Sequence, residues 1–137
     1  MKRKKIIVIN ADDFGLTKGV SLAIVELLAS NRISSTTTMM CVPDSVELQS
    51  EIRPHLNSRK IGLHLQLTSG FSLTNNPEGL LTDPDTHRFG SRERLADLDP
   101  RAVYEEWSAQ LRLYTSLYDG IPFCRPDADA SNVSAVC

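Results

Sequence analysis

Asp12 and Asp13 stand side by side in INADDFG (9–15), and an isolated histidine, His64, stands in KIGLHLQL (60–67). Two carboxylates and an imidazole are the donor types of a divalent-metal site that keeps positions open for water and substrate. Neighbouring carboxylates repel one another unless a cation compensates, so the pair suits a metal better than a bare acid–base couple. One carboxylate would ligate and the other would take a proton from water. Each piece also has a plainer reading: an aspartate pair after a strand caps the next helix, and a lone strand histidine is a packed side chain. Both fall at strand ends, where parallel α/β folds gather their ligands, and that brings the site reading close to level with the plainer one.

These residues need particular elements to position them. KIIVIN (5–10) is short and β-branched, the pattern of a strand buried on both faces. A regular strand would send Asp12 and Asp13 to opposite faces, so the backbone must leave strand geometry there, with Gly15 easing a tight turn. Over 18–30, Val20, Ile24, Leu27 and Leu28 trace one helical stripe, with Thr17 as N-cap. ISSTTTMMCV (33–42) reads as a second strand. Pro43 and Asp44 open another helix, Asp44 and Glu47 having capping-box spacing. In KIGLHLQL, Ile61, Leu63, Leu65 and Leu67 alternate with Gly62, His64 and Gln66, a third strand. Strand–helix alternation of this kind predicts parallel strands joined by right-handed crossovers.

Residues 68–98 lack clear periodicity, and a loop this long is usually functional or disordered. Asp99 as N-cap and Pro100 as first helical residue start a long helix. Its apolar stripe is Val103, Trp107, Leu111, Tyr114 and Tyr118, and Gly120 is its stop. After Gly120 neither period survives in IPFCRPDADASNVSAVC.

The 137 residues, 41% hydrophobic and 23% charged, suit one globular domain. A net charge of −2 and the lack of a basic stripe interleaved with aromatics argue against a nucleic-acid partner. KRKK (2–5) reads as a solvated lead-in. The apolar run after it, residues 6–9, is too short for a secretory core, and no stretch is long enough to span a membrane. Cys41, Cys124 and Cys137 have no metal-site spacing; they read as reduced thiols of a cytoplasmic protein, Cys41 in the core. His55 and His87 read as solvated residues, and Trp107 and the tyrosines as core-facing.

NADDFG (10–15), TKGV (17–20), SSTTTMM (34–40) and IGLHLQLTSG (61–70), in this order, resemble the YdjC family of carbohydrate deacetylases. The resemblance covers about residues 5–120. It implies an α/β fold, a (β/α) barrel of the YdjC or polysaccharide-deacetylase-like type, of which residues 1–120 form the N-terminal half. It also implies a hydrolase that removes acetyl groups from N-acetylated sugars with a divalent metal, magnesium or zinc. Asp12 matches the catalytic base, and Asp13 and His64 match metal ligands. Asn10 and Thr68 are candidates to orient these groups or to touch substrate. The implied partner is a small carbohydrate, with no nucleic acid and no membrane. Exposed strand edges of a half barrel would favour a homo-oligomer.

The family pattern next calls for a His-rich segment, T-H-x-D-x-H-x-H-V-H, which supplies another ligand histidine. Here PDADASNVSA (126–135) keeps only Asp129, and Ser131 stands where that histidine is expected. Residues 121–137 are therefore set apart as a divergent tail. Two accounts follow: an N-terminal fragment with an aberrant tail, or a degenerate, non-catalytic member. A phosphate-transfer domain of the aspartyl-phosphate type, which also places an Asp pair after its first strand, fits less well because no lysine follows the third strand.

Overall fold

The computed structural model describes residues 5–43, 45–52, 61–74 and 81–118. The chain divides into two compact units, Met1–His64 and Leu65–Cys137.

In the first unit the elements run β1 (Asn10–Phe14), α1 (Lys18–Ala29), β2 (Ser35–Met39), α2 (Ser45–Ile52) and β3 (Ile61–His64). The strands form one parallel sheet in the order β1-β2-β3, the order of successive strands in a (β/α) barrel. Three strands show an α/β fold with a small parallel sheet, and a closed barrel is not described.

β1 starts five residues later than the hydrophobic run predicts. β2 enters the sheet at Ser35, so the ladder begins with Asn10 opposite Ser35. The Ile9 carbonyl meets the very start of β2, accepting from Ser34 N at 2.7 Å and from Ser35 N at 3.3 Å. Residues 6–8 lie outside the ladder, and Ile6, Ile7 and Val8 are more than two-thirds exposed. The predicted strand buried on both faces is thus an exposed approach to the true strand.

β1 also carries an irregularity: its register against β2 shifts between Ala11 and Phe14. Asp13 takes a left-handed backbone, φ 67°, inside the strand, and Gly15 follows at φ 94°. β2 fits this bulge with threonines. Thr36 and Thr38, both fully buried, donate their hydroxyls to the carbonyls of Ala11 and Phe14, one on each side of the aspartates. A side chain at Gly15 would be strained by the positive φ and tightly placed, its Cβ 3.2 Å from Gln49 Nε2 and 3.4 Å from the Met39 carbonyl.

α1 has the predicted cap, Thr17 Oγ1 accepting from Val20 N at 3.2 Å. Its buried face is Ser21, Ile24 and Leu28, while Val20 and Leu27 are more than a third exposed, so the stripe is turned from the predicted one. Ile24 and Leu28 meet Phe14 in the core, with Ala11, Val25, Ile33 and Leu48 around them. Cys41 is buried, as expected. The Asp44 cap of α2 lies outside the described residues.

β3 ends at His64, and the predicted alternation through Leu67 does not continue. Leu65 is 42% exposed and Gln66 is buried, the reverse of the expected faces. The cause lies in the second unit: Gln110 takes both backbone groups of Gln66, its Oε1 accepting from Gln66 N at 3.1 Å and its Nε2 donating to Gln66 O at 2.8 Å.

That unit contains the described parts of a connection, residues 65–74 and 81–99, and α3 (Pro100–Tyr118). Residues 81–98 are structured: antiparallel bridges join Phe71 to Arg88 and Thr82 to Phe89, and a 3-10 helix spans Arg92–Asp97. Asp83 closes the intervening turn, accepting from the amides of Asp85 and Thr86. α3 starts as predicted, Asp99 Oδ1 accepting from Arg101 N at 2.8 Å. Its buried face is Ala102, Glu106, Gln110, Tyr114 and Tyr118, whereas Trp107 and Leu111 are partly exposed. The proposed stops and tail, Gly120 and residues 121–137, and His55 lie outside the described residues. No helix among the described residues is long and apolar enough to cross a membrane.

Candidate metal and catalytic site

The sheet of the first unit has two chemically distinct faces. Ala11, Thr36, Thr38 and Ile61 belong to the inner one. Asn10 and Asp12, Ser35 and Thr37, and Gly62 and His64 alternate onto the other by the two-residue period of a strand. The left-handed backbone at Asp13 brings its carboxylate to that same face, where Asp13 Oδ1 lies 3.6 Å from His64 Nδ1.

Asp12 is held from two sides. Asn10 Nδ2 and Thr37 Oγ1 both donate to its Oδ1 at 2.7 Å. Asn10 is itself fixed by the Ser35 hydroxyl, which donates to Asn10 Oδ1. Thr37 has one proton, and with that proton on Asp12 its oxygen can accept from His64 Nδ1, 3.3 Å away. One threonine thus ties the second carboxylate to the imidazole. The His64 and Asp13 side chains are 20% and 46% exposed, open enough to admit a ligand.

Asp12, Asp13 and His64 are therefore neighbours, and Asn10 orients Asp12. Thr68 belongs to the second unit, where it is exposed. His87 is exposed in the turn closed by Asp83, with φ 57°. Reading the sequence alone misses Thr37 and Ser35, although STTTM offered the signal: alternate positions of a strand whose neighbour carries the aspartates.

By donor type and spacing, Asp13 and His64 fit two adjacent ligands of a divalent cation; a ligating Nδ1 carries no proton, so on binding a cation His64 would give up its hydrogen bond to Thr37. Among the described residues no group of three or more His, Cys, Asp or Glu is placed to hold a metal.

A second carboxylate site is built differently. Glu106 is fully buried in the second unit. It accepts from Ser72 Oγ at 2.6 Å, from the amides of Leu73 and Thr74, from Thr74 Oγ1 at 2.8 Å and from Gln110 Nε2 at 2.9 Å. Burial is the largest single influence and pushes its carboxyl up. The donors of Ser72, Gln110, Leu73 and Thr74 together outweigh burial and hold it below the usual glutamate value.

The YdjC-like protein family model matches residues 6–122. A carbohydrate deacetylase of Vibrio vulnificus (strain YJ016) is 36% identical over 111 residues, covering 81% of this chain and 44% of the relative. One from Vibrio campbellii is 34% identical over 122 residues, 89% of this chain and 47% of the relative. The crystal structure of an Enterococcus faecalis V583 protein provisionally named for cellobiose-phosphate cleavage superposes with a TM-score of 0.68 at 30% identity. That match covers 80% of this chain and 43% of the other. The chain spans under half the length of these relatives. With the aspartate pair, the threonine strand and the histidine all inside the matched segment, the chain belongs to the YdjC-like family.

Proposed function

We propose that this chain contributes Asp12, Asp13 and His64 to a metal-dependent hydrolase that removes acetyl groups from N-acetylated sugars or oligosaccharides. The observation that carries this reading is the convergence of the three side chains on one face of adjacent parallel strands, with Asp12 pinned by Asn10 and Thr37. The relatives named carbohydrate deacetylase support the substrate class.

Asp13 and His64 would hold the cation, magnesium or zinc, which when bound supplies Lewis-acid polarisation of the amide carbonyl. Asp12 is the general base. Its Oδ1 is fixed by two donors, which aims the carboxylate and leaves Oδ2 to accept a proton from the attacking water. The water oxygen bonds to the acetyl carbon, the C–N bond breaks, and the proton held by Asp12 is returned to the departing amine. Acetate and a free amino sugar are the products, and a small carbohydrate in the cytoplasm is the expected substrate.

The test is acetate release from N-acetylated chitooligosaccharides, together with metal analysis of the parent, Asp13→Ala and His64→Ala proteins. Both variants should lose metal and activity. Variants that hold metal as well as the parent would sink the ligand assignment, and a parent that releases no acetate would favour a non-catalytic member of the family.

A further inference from the structure

The polar groups on the outer face of the first unit's sheet form one directed row. Asn10 and Ser35 stand opposite each other where the β1–β2 ladder begins, and Asp12 and Thr37 follow two residues later on their strands. Ser35 Oγ donates to Asn10 Oδ1 at 2.5 Å, and Asn10 Nδ2 donates to Asp12 Oδ1 at 2.7 Å. Thr37 donates to the same oxygen from the neighbouring strand. Asp12 is thus reached by two arms, one direct and one relayed through Asn10.

The relayed arm has a fixed sense. An asparagine amide keeps nearly the same shape when its O and N exchange places, so shape alone does not choose between them. Charge chooses at one end: with the Asn10 carbonyl turned to the Asp12 carboxylate, two acceptors would face each other across a hydrogen-bond distance. Ser35 chooses at the other, because its single hydroxyl proton goes to the carbonyl and holds that end away from Asp12. The Ser35 main chain is itself anchored, its N–H donating to the Ile9 carbonyl at 3.3 Å.

These bonds do little for stability. Asn10 and Asp12 are exposed and Ser35 is only partly buried, so water can replace each lost partner. What the row does fix is the direction of one carboxylate, whose described donors all meet Oδ1. Support of that kind belongs behind a reacting group. We infer that Ser35 is a positioning residue that acts on Asp12 through Asn10, holding the Asn10 NH2 toward the carboxylate so that Oδ2 stays aimed at the attacking water. This rests on the reading of Asp12 as the general base of a deacetylase.

Contacts in series and contacts in parallel differ in how their removals combine. With N-acetylated chitooligosaccharide, Asn10→Ala should lower kcat about tenfold and Ser35→Ala about fivefold, each with KM within about twofold of the parent. Removing both should leave kcat near the tenfold loss of Asn10→Ala rather than at the product, about fiftyfold. Ser35→Thr keeps the hydroxyl and should hold kcat within about twofold. All of these variants should melt within about two degrees of the parent. Parental kcat in Ser35→Ala, a fiftyfold loss in the double variant, or Ser35→Thr as slow as Ser35→Ala overturns the inference. So does a Ser35→Ala protein that melts several degrees lower, since the serine would then be a folding contact.

A second measurement needs no turnover. The order parameter of the Asn10 side-chain NH2, from nitrogen-15 relaxation, should match ordered backbone in the parent, about 0.85, and fall below about 0.6 in Ser35→Ala. An amide equally mobile in both proteins, or equally rigid in both, overturns the Ser35 inference alone. A parent that releases no acetate overturns the deacetylase reading, and the NH2 signal still decides whether Ser35 holds Asn10.

Discussion

Asp12 and Asp13 in the first unit and Glu106 in the second are carboxylates held in opposite ways. Asp13 is nearly half exposed and stands 3.6 Å from an imidazole, and Asp12 has both its described donors on one oxygen. Glu106 is fully buried and surrounded by main-chain amides, hydroxyls and an amide side chain. A carboxylate saturated with donors has little left to do except organise the groups that donate to it. One with open oxygen positions and a strained backbone beneath it can still bind and react. The difference separates a group that builds the fold from groups the fold displays.

The comparison breaks first at Asp12→Asn. The amide keeps an oxygen for Asn10 and Thr37 to donate to and loses the ability to take a proton. Acetate release should fall by about 10³-fold, within the range for a removed general base, while the melting temperature stays within a degree or two. A variant that keeps most of its activity would place the base elsewhere.

Glu106→Leu should do the reverse. It strands the donors of Ser72, Leu73, Thr74 and Gln110 in a buried place and should destabilise the protein by about 3–5 kcal/mol in denaturant unfolding. Loss of less than about 1 kcal/mol would mean those donors find water or other partners.

Acid sharpens the same contrast. The Glu106 carboxyl is held below its unfolded value, so the unfolded state binds the proton more readily and the stability from this group falls as the pH drops. That contribution is fully present above the ordinary glutamate pKa of roughly 4.3 and is lost as pH falls through the lower folded value. Glu106→Gln, which resembles the protonated acid, should be less stable than the parent at pH 7, and the gap should narrow below about pH 5. Asp83 and Glu93 are also held low, by Thr86 and Ser91 respectively, but both proteins share them and their effect cancels. A gap that is constant from pH 7 to pH 3 would rule out an ionised Glu106 in the native state.

How much of this the sequence discloses depends on the reach of each determinant. Helix starts at Thr17 and Asp99 are legible because a cap is set by its neighbours within three residues. The need for irregular backbone at the aspartates is legible too, because a two-residue period cannot put both on one face, although Asp13 itself takes up the strain alongside Gly15. Strand limits are not legible. They are set by where a partner enters the sheet, and Ser35 rather than the apolar residues 6–9 decides where β1 begins. The inner face of α3 misleads for a related reason. Hydropathy selects Trp107 and Leu111, but the segment 66–74 presents main-chain amides and hydroxyls that Glu106 and Gln110 satisfy. The evenly spaced Ala102, Glu106, Gln110, Tyr114 and Tyr118 were visible as a row, with nothing in the local pattern to mark their polar members as buried.

The smallest effects expected come from two adjacent threonines of β2. Thr36 lies on the inner face, fully buried, and donates to the Ala11 carbonyl. Thr37 lies on the outer face and donates to Asp12 beside His64. Valine at either site keeps the shape and the β-branching and removes one hydroxyl. Thr36→Val should lower stability by about 1–2 kcal/mol, because the carbonyl at the bulge loses a partner that water cannot replace, and it should leave KM unchanged. Thr37→Val should change stability by less than about 0.5 kcal/mol, since solvent can reach Asp12 in its place. Its signature is instead a fall in kcat of about tenfold, as Asp12 loses one of the two donors that aim its carboxylate. If Thr36→Val were the variant that lost activity and Thr37→Val the one that lost stability, the two faces of the sheet would have been assigned the wrong way round.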